Sequence, residues 1–170
     1  ELNGLYFDYY DNLFDLLEGD NLGTCFSAFS IWGPGRVCKV QCDAAAMLSA
    51  PMFDEIVVPG LIEQANRLDY SVFHLDGPDC VQHIDALARI PGLNAIQWTP
   101  GAAQPSTEAE CWWPMYRKIL DAGKGLLLLG ADIRGVEALA RQVGRDGVLI
   151  GTTAPSVEFG ENLLRKATTW

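Results

Sequence analysis

The sequence predicts an α/β fold: one domain over residues 1–170, with a parallel sheet of about five strands joined by crossover helices. Three observations carry that expectation. Tyr70–Trp98 is a complete strand–helix–strand unit, the building block of parallel sheets. Leu126–Leu129 is a continuous apolar run, as expected of a strand covered on both faces. Between such runs the apolar spacing switches repeatedly to a helical period.

In chain order, Leu5, Tyr9, Leu13, Leu16 and Leu17 recur at helical spacing with Asp8, Asp11 and Asp15 between them, giving an amphipathic helix ended by Gly19. Thr24–Ile31 reads as a strand stopped by Gly33-Pro34-Gly35. Arg36–Ala50 has no clear period and reads as a long loop carrying Lys39, Gln41 and Asp43. Pro51 suits the first turn of a helix to about Leu68, which Pro59-Gly60 should kink or split. Ser71–Leu75 is a strand broken at Asp76-Gly77-Pro78. Asp79 can cap the next helix, in which Val81, Ile84, Leu87 and Ala88 share a face. Asn94–Trp98 is the following strand, and Pro100–Thr107 a loop. Cys111–Ala122 is a helix with Trp112, Met115, Tyr116, Ile119 and Leu120 on one face, capped by Gly123. A helix around Val136–Val143, a buried strand at Val148–Ile150 and a last helix capped by Ser156 complete the alternation.

Composition excludes several function classes. Apolar content of 49% and charged content of 20% argue against disorder. A net charge of −10 makes nucleic acid a poor partner, because phosphate binding needs a basic face. No apolar run approaches the roughly 20 residues of a membrane span. The five cysteines are odd in number and form no Cys-x-x-Cys pair, which fits a reduced, cytoplasmic protein. A first residue of Glu1 rather than Met suggests a processed product or a fragment.

Chemistry is expected at the C-terminal ends of the strands, where parallel α/β folds bind ligands. His74 and Asp76 alternate on one strand and therefore point to the same face. Gln97 is polar in an otherwise apolar run, with the adjacent Trp98 facing the other way. The bland readings are a core histidine for His74, a turn-capping role for Asp76 and a solvated loop carboxylate for Asp43. His83 reads as surface or helix packing, Asp132 as a cap, and Cys80 as a small apolar residue.

The segments VQCD (Val40–Asp43), MLSAPMFDEIVVP (Met47–Pro59), FHLDGP (Phe73–Pro78) and NAIQWTPG (Asn94–Gly101) together resemble the C-terminal half of the uroporphyrinogen decarboxylase superfamily. HLDGP followed by IQW is similar to an uncharacterised bacterial branch. The resemblance implies a partial (β/α)8 TIM barrel, its C-terminal portion, with a substrate at the C-terminal face. It implies a small-molecule, tetrapyrrole or corrinoid-linked substrate, and two chemistries, methyl transfer and decarboxylation. A barrel of eight strands needs roughly 250 residues, so the first strands are expected to be missing. Either the chain is a fragment or a homodimer covers the open edge, since exposed strand edges are avoided. A non-catalytic half is the remaining reading.

In the corrinoid-dependent methyltransferases of this superfamily, zinc is held by His-x-Cys after one strand and Cys after the last. The resemblance keeps His74 but sets Asp76 at the first Cys position and Thr152 near the second. It implies that zinc or another divalent metal, if bound, is held through nitrogen and oxygen by His74, Asp76 and Asp43. The decarboxylases resemble one another in a His near the last strand, where this sequence has Gly151-Thr152-Thr153. His74, Asp76 and Gln97 are the expected catalytic residues.

Overall fold

The computed structural model describes residues 1–170. It opens with α1 (Leu2–Leu16) and a single helical turn, α2 (Gly19–Leu22). An antiparallel pair follows, β1 (Thr24–Phe26) and β2 (Ile31–Gly33). The chain then alternates. β3 (Val37–Val40) leads to α3 (Ala50–Met52) and α4 (Val58–Ala65), and β4 (Tyr70–Asp76) to α5 (Ile84–Ala88). β5 (Ala95–Thr99) precedes α6 (Trp113–Asp121), β6 (Gly125–Ala131) precedes α7 (Val136–Val143), and β7 (Val148–Thr152) precedes α8 (Val157–Ala167).

Strands β3 to β7 form one parallel sheet whose spatial order is the chain order. Crossovers of one hand between sequential neighbours lay their helices on the same side of the sheet. The core has that shape. Phe73 and Leu75 of β4, Ile96 and Trp98 of β5, and Leu126 and Leu128 of β6 pair in register and pack against Phe53, Leu61, Ile84, Leu87, Tyr116, Ile119 and Leu139 from the helical side. The opposite face holds a second, small cluster of Val72, Ala95 and Leu127, covered by Phe29 from the turn between β1 and β2.

Five parallel strands match the expected number, but the first is a different segment. Thr24–Ile31 is no single strand: Ser27–Phe29 makes a tight helical turn, Ser30 takes φ 53°, and the chain doubles back into the β1–β2 hairpin. The first sheet strand is Val37–Val40, inside the segment read as loop. Its four residues, one of them Lys39, are too few to show a period.

Two helix readings change in a similar way. The apolar stripe expected to pack α1, namely Leu5, Tyr9, Leu13, Leu16 and Leu17, is the exposed one, each residue at least 55% accessible. Phe7 and Phe14 are buried instead, and the Tyr10 hydroxyl donates to the Val37 carbonyl on the edge of β3 at 3.0 Å. The Arg67 and Arg36 guanidinium groups lie over the Phe7 and Phe14 rings, and both are held by Asp11. The helix is apolar on two sides, so its period alone does not say which side is buried. In the segment from Ala50, Ser49 caps the start and a wide π-type turn over Phe53–Val57 separates α3 from α4. That break puts Pro59, which has no N–H, into the first turn of α4.

Smaller corrections concern burial and capping. β7 is a half-covered edge strand rather than a buried one, with Leu149 36% exposed. Asp79 makes no cap bond, because Pro78–His83 forms a 3-10 turn entered from Gly77. Trp112 and Trp113 both pack against the core, one at the end of a 3-10 turn and one at the start of α6. Gly123 and Ser156 act as expected: Gly123 takes φ 74° at the end of α6, and Ser156 Oγ accepts from the Phe159 amide.

Candidate functional site

His74 and Gln97 are register partners on β4 and β5, one row from the ends of both strands, and the next row pairs Asp76 with Thr99. All four point away from the helices, toward the face covered by Phe29. Phe73, Leu75, Ile96 and Trp98 alternate with them and hold both strands onto the helical core. Trp98 packs against Trp112, with ring centroids 5.0 Å apart and the planes tilted by 59°.

Gln97 is 2% exposed and its carboxamide has a defined orientation. Nε2 donates to the Trp98 carbonyl at 2.6 Å and to Thr99 Oγ1 at 3.0 Å. A carbonyl only accepts, so the amino end must face it and Oε1 must face His74. Oε1 lies 2.5 Å from His74 Nδ1. Nδ1 therefore carries the proton, and in the neutral ring Nε2 keeps its lone pair. Nε2 points to the strand end, 3.9 Å from Asp76 Oδ2, a separation for ionic attraction rather than a hydrogen bond. Asp76 is largely exposed, so it supplies a solvated negative charge beside a half-buried imidazole. The Phe29 ring, 5.4 Å from the imidazole, shields its other side.

A second polar row comes from β3. Lys39 pairs in register with Val72, which sets its side chain on the face of His74. Its Nζ donates to Gln41 Oε1, and Gln41 Nε2 donates to Asp43 Oδ1 at 2.7 Å. Asp43 begins a 3-10 turn just beyond β3, so all of these side chains stand at the C-terminal edge. Sequence reasoning placed Lys39 and Gln41 on a long loop with Asp43 and did not single out Phe29 or Thr99.

No protein-family model matches this chain, and no curated protein or solved structure matches it.

His74 Nε2 and Asp76 offer the nitrogen and oxygen donors that suit zinc or another divalent ion. Asp43 instead serves Gln41, and no three His, Cys, Asp or Glu side chains converge as a ligand set. The expected set of His74, Asp76 and Asp43 does not form a three-ligand site in this arrangement. Thr152, the other position marked by the resemblance, donates to the Ala131 carbonyl at 2.7 Å and ties β7 to β6.

The other candidates have structural roles. His83 is buried, stacked on Phe53 with ring centroids 4.1 Å apart, and its Nε2 meets the Ala45 carbonyl at 2.9 Å. Asp132 caps the turn after β6 and pairs with Arg134, which holds its carboxyl far below the usual range. Cys80 is buried, and burial pushes its thiol up, away from the reactive thiolate. No helix is long and apolar enough to cross a membrane.

Proposed function

We propose that this chain is the substrate-binding part of a uroporphyrinogen decarboxylase-like enzyme, a partial (β/α)8 barrel with its substrate at the C-terminal edge of the His74 face. The strand order supports this reading, since sequential parallel strands with helices on one side are what an arc of a barrel looks like. The edge of β7 is half-covered, and we propose that further strands or a second copy complete the wall there.

Methyl transfer is the reaction class the site suits best, and the observation that carries it is the His74–Gln97 hydrogen bond. With Nδ1 held as a donor, His74 Nε2 is a free base at the strand edge. An acceptor thiol gives its proton to Nε2, its thiolate forms the new bond to the methyl carbon, and the leaving group departs with the electron pair. Asp76 stabilises the resulting imidazolium. A divalent metal on Nε2 would lower the thiol pKa instead, with Asp76 as the oxygen donor beside it.

The test is thiol-dependent loss of the methyl–cobalt absorbance of methylcobalamin, with uroporphyrinogen assayed in parallel for loss of carboxylates. Methyl transfer that falls about 100-fold or more in His74→Ala supports the proposal. An unchanged rate in that variant overturns it, and carboxylate loss from uroporphyrinogen moves the assignment to decarboxylation. Elemental analysis of both proteins decides the metal: near-stoichiometric zinc lost in His74→Ala places it on Nε2.

A further inference from the structure

We infer that the exposed face of α1 is a docking surface, and that its occupant is an amphipathic helix of a partner protein whose apolar row is bordered by lysine or arginine. Phe7 and Phe14 bury one side of α1. On the other side Leu2, Leu5, Tyr9, Leu13 and Leu16 stand in solvent. Apolar residues scattered singly over a surface need no explanation, but a contiguous row of this kind marks an interaction site. Its four steps cover fourteen residues, the 3.5-residue repeat of a helix–helix seam. At about 1.5 Å per residue the row is about 21 Å long, which matches about four turns of a second helix.

The two borders of the row identify the partner. Glu1, Asp8 and Asp15 recur every seven residues, so they run as one exposed line along the border beside Leu5 and Leu16. Asp11, further round the helix, is the carboxylate of α1 held in ion pairs, by Arg36 and Arg67. No lysine, arginine or histidine precedes Arg36, so the free border carries one sign only. On the other border Tyr10, Leu13, Phe14 and Leu17 line a hollow of about 290 Å³, a place for one anchoring side chain. Charges beside an apolar seam choose the partner by sign. A second copy packed antiparallel on the seam brings the same acidic line against this one. An anionic lipid surface is repelled by it, since helices that lie on membranes carry basic borders. A helix with basic borders satisfies the apolar row and the carboxylate line together.

The probe is a synthetic helical peptide about four turns long, with leucine along its seam and lysine on both borders; its twin carries glutamate in place of lysine. Both are titrated into the whole protein while the α1 amide signals are followed by NMR. The lysine peptide is expected to shift the signals of Leu5, Tyr9, Leu13 and Leu16 and to bind about tenfold more tightly than the glutamate twin, an advantage that shrinks in about 0.5 M salt. Leu13→Asn combined with Leu16→Gln should weaken the lysine peptide about tenfold or more, and thermal melts check that the fold is intact. Asp8→Lys combined with Asp15→Lys should reverse the preference between the twins. General attraction to an acidic protein cannot give that reversal, because the variant stays acidic overall. No binding of the lysine peptide, equal binding of the twins, or an unreversed preference in the lysine variant would each overturn the inference. Sedimentation tests the other occupants. A dimer that the Leu13 and Leu16 double variant dissociates makes the occupant a second copy, and binding to phosphatidylserine vesicles lost in that variant makes it a membrane; either result refutes the basic helix.

Discussion

The His74 imidazole and the Gln97 carboxamide occupy paired positions on adjacent parallel strands and meet at 2.5 Å through Nδ1 and Oε1. Neither group could set the other's orientation alone. The Trp98 carbonyl fixes the amide, the amide fixes the imidazole tautomer, and the tautomer decides which nitrogen reaches a ligand. A buried glutamine in a sheet is therefore a positioning residue for a histidine on the next strand.

Gln97→Leu tests that chain of cause. The substitution strips partners from Nδ1, Thr99 Oγ1 and the Trp98 carbonyl, and should cost about 1–3 kcal/mol in a urea melt. Nitrogen-15 NMR of the histidines should show His74 as a single Nδ1–H tautomer in the parent and as a mixture in the variant. A single unchanged tautomer in Gln97→Leu would mean that other groups orient the ring.

What the sequence made legible follows the length and strength of each signal. Seven-residue β4 and five-residue β5 carry enough apolar residues for their alternation to be read, and with it the shared face of His74 and Asp76 and the inward turn of Gln97. The pairing of Gln97 with His74 was not legible, because register between separate strands depends on how the intervening helix packs. Val37–Val40 was hidden by its shortness, and Lys39 went with it. Thr24–Ile31 has the composition of a strand; Ser30 in the left-handed region turns it back, and sequence patterns predict such a turn at glycine or asparagine rather than serine. The α1 stripe was assigned to the wrong side because both sides are apolar, and the deciding contacts come from Arg36 and Arg67, distant in sequence.

The two sides of α1 should respond oppositely to substitution. Phe7 is fully buried beneath the Arg67 guanidinium, so Phe7→Ala should cost about 3–5 kcal/mol. Leu13→Asn, Tyr9→Ser and Leu16→Gln lie on the exposed side and should each change stability by about 0.5 kcal/mol or less. Urea melts of the four variants check this. A Leu13 variant as unstable as the Phe7 variant would show that the helix packs by its other face.

His83 combines a satisfied nitrogen with an unsatisfied one: Nε2 meets the Ala45 carbonyl, while Nδ1 is buried without a partner. The ring's contribution should thus come mainly from stacking on Phe53. His83→Phe keeps the stack, removes the orphan nitrogen and leaves the Ala45 carbonyl with the Leu48 amide as its remaining partner, a net cost of about 1 kcal/mol or less. His83→Ala adds a cavity and should cost about 3 kcal/mol or more. The reverse order in chemical denaturation would make the hydrogen bond the larger part.

Glu108 supplies the acid sensitivity of the loop between β5 and α6. Its Oε2 accepts from the Asp132 amide at 2.9 Å, and Oε1 accepts from Ser106. Burial pushes the carboxyl up, but those hydrogen bonds outweigh it and hold the group below its usual 4.5. The unfolded chain then binds the proton more tightly than the folded one. The stabilisation is complete above 4.5 and is lost as the pH falls through the lowered folded value. Glu108→Gln removes the titrating group, so the difference in melting temperature between parent and variant should be constant above pH 5.5 and shrink steadily below pH 4.5. A difference that stays constant down to pH 3 would mean that the carboxylate charge adds nothing to the tether between this loop and the end of β6.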